Sequence, residues 1–225
     1  MRVRAFMAGL ATVAMLTGCG GLGAAQAPDG DGKAAKADPA AISDAKKKLD
    51  KLPVKGRAPK TGFDRDKFGP AWADVDRNGC DTRNDILKRD LEDETFKSGT
   101  HDCIVLTGTL HDPYSGKTIK FRRGQDTSTA VQIDHVIPLS DAWQKGAQQW
   151  SATKRKEFAN DPLNLMAVDG PLNGQKSDSD AATWLPPRKS YRCTYIARQI
   201  DVKAKYGLWV TSGEKQAMED ILKSC

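Results

Sequence analysis

Asp134 and His135 close a short apolar run, Val131-Gln132-Ile133-Asp134-His135-Val136-Ile137-Pro138-Leu139. Further on come Asn164-Leu165 and then Asn173-Gly174-Gln175-Lys176-Ser177-Asp178. A carboxylate, an imidazole, two carboxamides and an ammonium in this order are groups that phosphodiester hydrolysis can use. That reaction needs a water deprotonated in line with the scissile bond, and neutralisation of charge on the phosphate and the departing oxygen. Histidine suits the first task because its unperturbed pKa is about 6.5. A hard cation held by carboxylate and amide oxygens suits the second, because Mg²⁺ keeps several waters and takes few protein ligands. Asp134 and Asn173 can supply two such oxygens. His135, pointing to the opposite side of a strand or splayed by a loop, can activate water. With a single carboxylate the metal stays positive enough to grip phosphate.

These groups need elements to aim them. Ala130 to Leu139 reads as a strand terminated by Pro138, and Asp141 to Asn160 as a helix anchored by Trp143 and Trp150 and stopped by Asp161-Pro162. Leu163 to Val168 reads as a second short strand. Asp169-Gly170-Pro171 turns the chain into a helix that begins near Leu172 and carries Asn173 and Lys176 on its first turns. The order is strand, helical insertion, strand, helix: a ββα unit with its polar residues where strand ends meet a helix start. Upstream, Asp81-Thr82 opens a helix containing Ile86, Leu87 and Leu91. Asp102–Leu110 and Lys117–Phe121 form a hairpin around the turn Asp112-Pro113-Tyr114-Ser115-Gly116. Downstream, Cys193, Ile196, Ala197 and Ile200 make a helical core stripe. Thr211 and Glu214 make a capping box ahead of Ala217, Met218, Ile221 and Leu222. The expected class is α+β.

The series Asp134-His135, Asn164 and Asn173-x-x-Lys176-Ser177-Asp178 resembles the HNH (ββα-metal) endonuclease signature. It is closest to bacterial secreted HNH proteins related to the nuclease domain of GmrSD-type restriction enzymes, and similar to the HNH domain of RNA-guided DNA nucleases. The specific part spans about Gln132 to Asp178, and a looser likeness including Cys80-Asp81-Thr82-Arg83-Asn84 runs to the C-terminus. The resemblance implies His135 as general base, Asp134 and Asn173 as metal ligands, Asn164 as the residue ordering the loop and the histidine, and Lys176 on phosphate. Asn173 stands where a histidine is usual. An amide oxygen there implies Mg²⁺ or Mn²⁺ rather than zinc.

Each residue also has a plain structural reading. An isolated Asp-His pair is commonly a surface hydrogen bond, and asparagines before strands and at helix starts are common caps. Joint occurrence in the ββα order is what singles them out. Arg83, with Asp81 and Asp85 at a helix start, reads first as part of a cap and ion pair and second as a group reaching nucleic acid. Lys154, Arg155 and Lys156 read as a solvated face or, in a nuclease, as phosphate contacts that make binding salt-dependent. His101 and His111 read as exposed, and Trp143, Trp150 and Trp184 as core. There is no internal repeat and no sequence-reading DNA-binding module.

The chain has 225 residues, 39% of them hydrophobic, enough for one compact domain. Its formal net charge is +6, and loss of Arg2 and Arg4 with a leader leaves about +4, a mild preference for polyanions. Residues 1–18 read as a signal peptide: basic Arg2 and Arg4, an apolar Ala5–Leu16 stretch, then Leu16-Thr17-Gly18-Cys19. That ending resembles a bacterial lipobox in which Cys19 is lipidated. Residues 19–52, rich in Gly, Ala, Asp and Lys, read as a disordered tether. Its last part, Ala40 to Leu52, is expected to be at most transiently helical and unpacked. Residues 53–225 then form the domain, with the catalytic core at about 130–180.

Four further cysteines in an exported chain imply two disulfides. Cys80–Cys103 and Cys193–Cys225 each bracket a local unit, and without Cys-x-x-Cys spacing a zinc site is disfavoured. The expected protein is a monomeric, extracytoplasmic, metal-dependent endonuclease acting on DNA or RNA with little sequence preference, secreted or lipid-anchored through Cys19 on the outer face of the membrane. A non-catalytic surface lipoprotein that binds nucleic acid or an envelope polymer is the rival reading, and a toxin-like effector nuclease a third.

Overall fold

The computed structural model describes residues 38–225, so the expected leader and Cys19 lie outside the described residues. The first element is helix α1, Pro39–Lys51. Asp38 caps it by accepting from the Ala40 N–H at 2.9 Å, and Pro39 at the first position needs no intrahelical partner. Ile42, Ala45 and Leu49 form one stripe and are buried against the two C-terminal helices. The expectation of an unpacked tether through Leu52 is therefore corrected. Lys46, Lys47 and Lys51 are exposed and Lys48 pairs with Asp201 at 2.7 Å, while three apolar residues at helical spacing dock the helix.

The chain then crosses the surface, pinned by a parallel bridge between Val54 and Val210 and by the buried Phe68 in a short 3₁₀ turn, Arg65–Phe68. Helix α2, Thr82–Asp90, is capped by Asp81, which accepts from the Asn84 N–H at 2.9 Å. A three-stranded antiparallel sheet follows in the order β1 (Leu91–Phe96), β2 (Val105–His111) and β3 (Thr118–Arg122). The β2–β3 hairpin is the expected one, with Leu110 opposite Ile119. β1 was not expected, because its sequence Leu-Glu-Asp-Glu-Thr-Phe alternates poorly. It is an edge strand whose acidic side chains face solvent.

The second sheet is the antiparallel pair β4 (Val131–His135) and β5 (Leu165–Asp169), with His135 opposite Leu165 and Asp134 opposite Met166. The insertion between them is not one helix. It contains α3 (Leu139–Gln144), a 3₁₀ turn (Ala147–Gln149) and α4 (Ala152–Ala159). Gly146, at φ 130°, breaks the run, and a Cβ there would lie 3.3 Å from the Trp209 ring. Helix α5 (Gly170–Lys176) follows β5 directly, capped by Asp169. Helices α6 (Arg192–Tyr206) and α7 (Ser212–Lys223) complete the chain, the latter with the expected Thr211–Glu214 capping box.

The β4–β5 pair is sandwiched. Val136, Met166 and Val168 join the core built on α1, α6 and α7. Val131, Ile133, Leu165 and Ala167 join the core built on α2 and the three-stranded sheet. A third cluster of Phe68, Trp143, Phe158 and Tyr206 fills the insertion. Disulfides join Cys80 to Cys103 and Cys193 to Cys225, as the bracketing of local units implied.

Beneath the insertion lies a buried ion network. Lys145 Nζ is 2.7 Å from Asp141, 2.9 Å from Asp180 and 2.6 Å from Glu214. Lys203 reaches Glu214 and Asp141, and Arg57 reaches Asp141 and Asp180. Burial would lower the Lys145 pKa, and Asp141 and Glu214 more than reverse it. Three cations and three carboxylates balance, so α3, α6, α7 and the strap after α1 are tied without a net buried charge.

Candidate active site

Strand alternation sends neighbouring residues of β4 to opposite faces. Gln132 and Asp134 face α5, whereas His135 shares its face with Val131 and Ile133. Asp134 is buried. Its Oδ1 accepts from Lys176 Nζ at 2.9 Å, and its Oδ2 accepts from the Tyr114 hydroxyl at 2.5 Å. Burial, and then the charge of Asp134, hold the Tyr114 hydroxyl far above its usual pKa, so it donates to this carboxylate. Asn173 Nδ2 donates to Gln132 Oε1 at 2.8 Å, which leaves its Oδ1 turned away from that bond. Asn164 is fully buried. It accepts from the Ile137 N–H at 2.8 Å and donates to the Ile137 carbonyl at 3.3 Å, clamping the turn that follows the Asp-His pair.

Lys176 was expected on phosphate, and the fold places it elsewhere. It is fully buried, and its ammonium also donates to the His135 carbonyl at 2.9 Å. A long basic side chain can hold this position because Asp134 and a strand-end carbonyl satisfy it. Lys154 and Arg155, also expected at phosphate, are directed to backbone. Lys154 donates to the Tyr206 carbonyl at 2.9 Å and lies over the Trp150 ring. Arg155 donates to the Lys67 carbonyl at 2.8 Å and to that of Trp150. Arg83 is half-buried, and burial followed by the neighbouring Arg123 guanidinium lowers its pKa. Asp81 is the cap that the structural reading anticipated.

The imidazole of His135 is half-buried in a cavity of about 180 Å³ whose other walls include Arg65, Phe68, Trp72 and Leu139. Its Nε2 lies 2.8 Å from the Ala159 carbonyl oxygen, at the end of α4. A carbonyl can only accept, so Nε2 carries the proton and Nδ1 keeps its lone pair. Burial pushes the pKa of His135 down to about 4. The Ala159 carbonyl opposes the shift, and the charges of Arg65 and Lys176 add to it. The ring is therefore neutral near pH 7. The Trp72 indole stacks on it, 6.1 Å between centroids and 16° between planes, with Trp72 itself at φ 57°. Positive φ is uncommon for so bulky a residue.

Arg65 and Trp72 were not legible as site residues, because their approach to His135 is a long-range contact that no spacing encodes. A second unread signal is Asp74-x-Asp76-x-Asn78-Gly79 followed by Asp85, the order of a calcium loop. In the fold these side chains bond the loop itself: Asp74 accepts from the Gly79 N–H, and Asn78 bridges Asp76 and Asp85. No three His, Cys, Asp or Glu side chains converge as a metal-holding group among the described residues. No helix among them is long and apolar enough to cross a membrane.

The fold and this geometry define a disulfide-stapled α+β domain whose polar residues gather at the end of a β4–β5–α5 unit. The chain belongs to the family described as the C-terminal domain of GmrSD restriction endonucleases, whose model matches residues 81–221. It is also similar to an "Uncharacterized secreted protein" of Arthroderma benhamiae, 39% identical over 185 residues that cover 81% of this chain and 85% of that relative. No solved structure matches it. The family is a nuclease family, and the two disulfides fit an oxidising, extracellular location.

Proposed function

We propose that this protein is an extracytoplasmic HNH-type endonuclease that uses a divalent metal, Mg²⁺ or Mn²⁺, to hydrolyse phosphodiester bonds of DNA, with RNA a second substrate. The observation that carries the reading is the state of His135: neutral, with Nε2 committed to the Ala159 carbonyl and Nδ1 left as a base. That is the form a general base needs before it meets water. Nδ1 accepts a proton from the attacking water, the resulting hydroxide adds to phosphorus, and the bond to the departing oxygen breaks.

Asp134 and Asn173 are the residues that would hold the metal, and their oxygens fit a hard cation. Each carboxylate oxygen retains a lone pair beyond the bond it already accepts, and Asn173 Oδ1 is turned away from Gln132. When bound, such a cation stabilises negative charge on the phosphate and the departing oxygen. Lys176 acts through Asp134, fixing the carboxylate and the strand end, and Asn164 holds the turn behind them. Outside the cell the domain is either tethered to the membrane through a lipid on Cys19 or secreted free.

The test is nicking of supercoiled plasmid by the mature chain, compared with His135→Ala and across Mg²⁺, Mn²⁺ and a chelator. Metal-dependent nicking that disappears in the variant supports the reading, and equal activity in both chains refutes it. A non-catalytic nucleic-acid-binding role is favoured by one feature, that both Asp134 oxygens already accept protein hydrogen bonds. Metal-dependent DNA binding without turnover would select it.

A further inference from the structure

The wall opposite His135 comes from residues 65–72, which lie before the stretch matched by the family. This segment is fixed along its length. Asp64 accepts from the Asp66 N–H at 3.0 Å, Phe68 is buried, Arg155 holds the Lys67 carbonyl, and the Trp72 carbonyl accepts from the Thr82 N–H at 3.2 Å. A supported segment of this kind can carry a precise contact. It brings two groups to the base: the Trp72 indole on the imidazole face, and Arg65, which lines the same cavity and whose charge acts on the ring.

Of the other cations expected at phosphate, Arg83 is half-buried beside Asp81 and Arg123 and does not line this cavity, and the remaining three are engaged. Lys176 is buried against Asp134, and Lys154 and Arg155 donate to backbone carbonyls. Arg65 is exposed and its side chain makes no hydrogen bond or ion pair with another described residue, although Asp66 lines the same wall. A planar guanidinium is suited to paired contact with phosphate oxygens.

We propose that Arg65 is the phosphate-binding residue on the His135 side of the site, and that Trp72 is a positioning residue that holds the imidazole toward the same phosphate. The inference rests on the nuclease reading and names the part of the nucleic acid that His135 faces, a backbone phosphodiester rather than a base edge. Segment 65–72 is then part of the active site, and the family-matched portion alone is incomplete.

Binding and turnover test this separately. Binding of a fluorescein-labelled DNA duplex is measured by anisotropy on the mature chain carrying His135→Ala, with and without Arg65→Ala, over a range of salt. The expected result is affinity lower by about tenfold and a log K against log salt slope smaller by about one. Arg65→Lys should recover most of the slope, because it keeps the charge. Unchanged affinity and slope in Arg65→Ala overturn the inference, whether or not the wild type cleaves.

In turnover, Arg65→Ala should raise KM, whereas Trp72→Leu should lower kcat and move the acid limb of activity upward as the imidazole loses its cover. Trp72→Leu with native thermal stability, wild-type kcat and an unmoved limb overturns the positioning role. A wild-type chain that cleaves nothing refutes the nuclease reading, and the binding arm still decides on Arg65.

Discussion

The pH response of His135 gives the most direct quantitative check on the site. A ring whose pKa is lowered to about 4, against about 6.5 when unfolded, binds its proton more weakly in the folded state. At pH 5 such a base is about 90% neutral, whereas an unperturbed histidine would be about 3% neutral, so the structure predicts about thirtyfold more active base at that pH. Stability follows the same linkage. Above pH 6.5 the ring is neutral in both states and contributes nothing; as pH falls from 6.5 toward 4 the unfolded chain takes up the proton first, so folded stability declines. The full difference is at most about 3 kcal/mol, reached below pH 4.

Histidine-labelled protein has only three side chains to follow, and His101 and His111 are exposed. NMR titration of the metal-free chain, with His135 assigned through His135→Gln, should show one imidazole still neutral at pH 5. Its Nε2 should be the protonated nitrogen. A His135 midpoint at or above 6, or a proton on Nδ1, would refute the argument from burial and the Ala159 carbonyl. Plasmid nicking at saturating metal should retain most of its rate at pH 5.

Three further substitutions probe the frame around the site. Lys145→Met removes the cation shared by Asp141, Asp180 and Glu214 and should destabilise the chain to urea by about 3–5 kcal/mol, since buried carboxylates lose a partner. Leu49→Ala should lower stability by about 2–5 kcal/mol in the same single transition, because α1 belongs to the core; a loss below about 0.5 kcal/mol would restore the tether reading. Asn164→Ala strands the Ile137 N–H and should remove about 1–3 kcal/mol, with nicking falling more than the folded fraction does.

The ββα order and the last helix were legible from local signatures: Asp169-Gly170-Pro171 starts α5 and Thr211 with Glu214 caps α7, whereas Pro138, read as the strand's end, lies beyond β4, which stops at His135, and precedes α3. What was not legible depends on distant partners. Lys176 has the side chain of a solvated residue, and Asp134 and the His135 carbonyl, 42 and 41 residues away in the chain, make its burial tolerable. The lysines of α1 masked an apolar stripe whose complement lies on α6 and α7. The long insertion read as one helix because Trp143 and Trp150 looked like a continuous face. Gly146 breaks it, and Trp209 crowds the space where a side chain would sit.

Asp134 and His135 are adjacent in sequence, yet two different cores hold them. Asp134 is fixed from the side of Tyr114, Lys176 and the C-terminal helices, and His135 from the side of Trp72, Ala159 and the segment before α2. One strand end thus joins a carboxylate held by two donors to an imidazole kept neutral by burial. β-Alternation turns the two side chains to opposite faces within a single peptide unit. Lys176 links them, because the same ammonium that pairs with Asp134 bonds the His135 carbonyl and weakens proton binding by its ring. A change at Lys176 therefore acts on both halves of the site, whereas changes at Tyr114 or Trp72 first act on one.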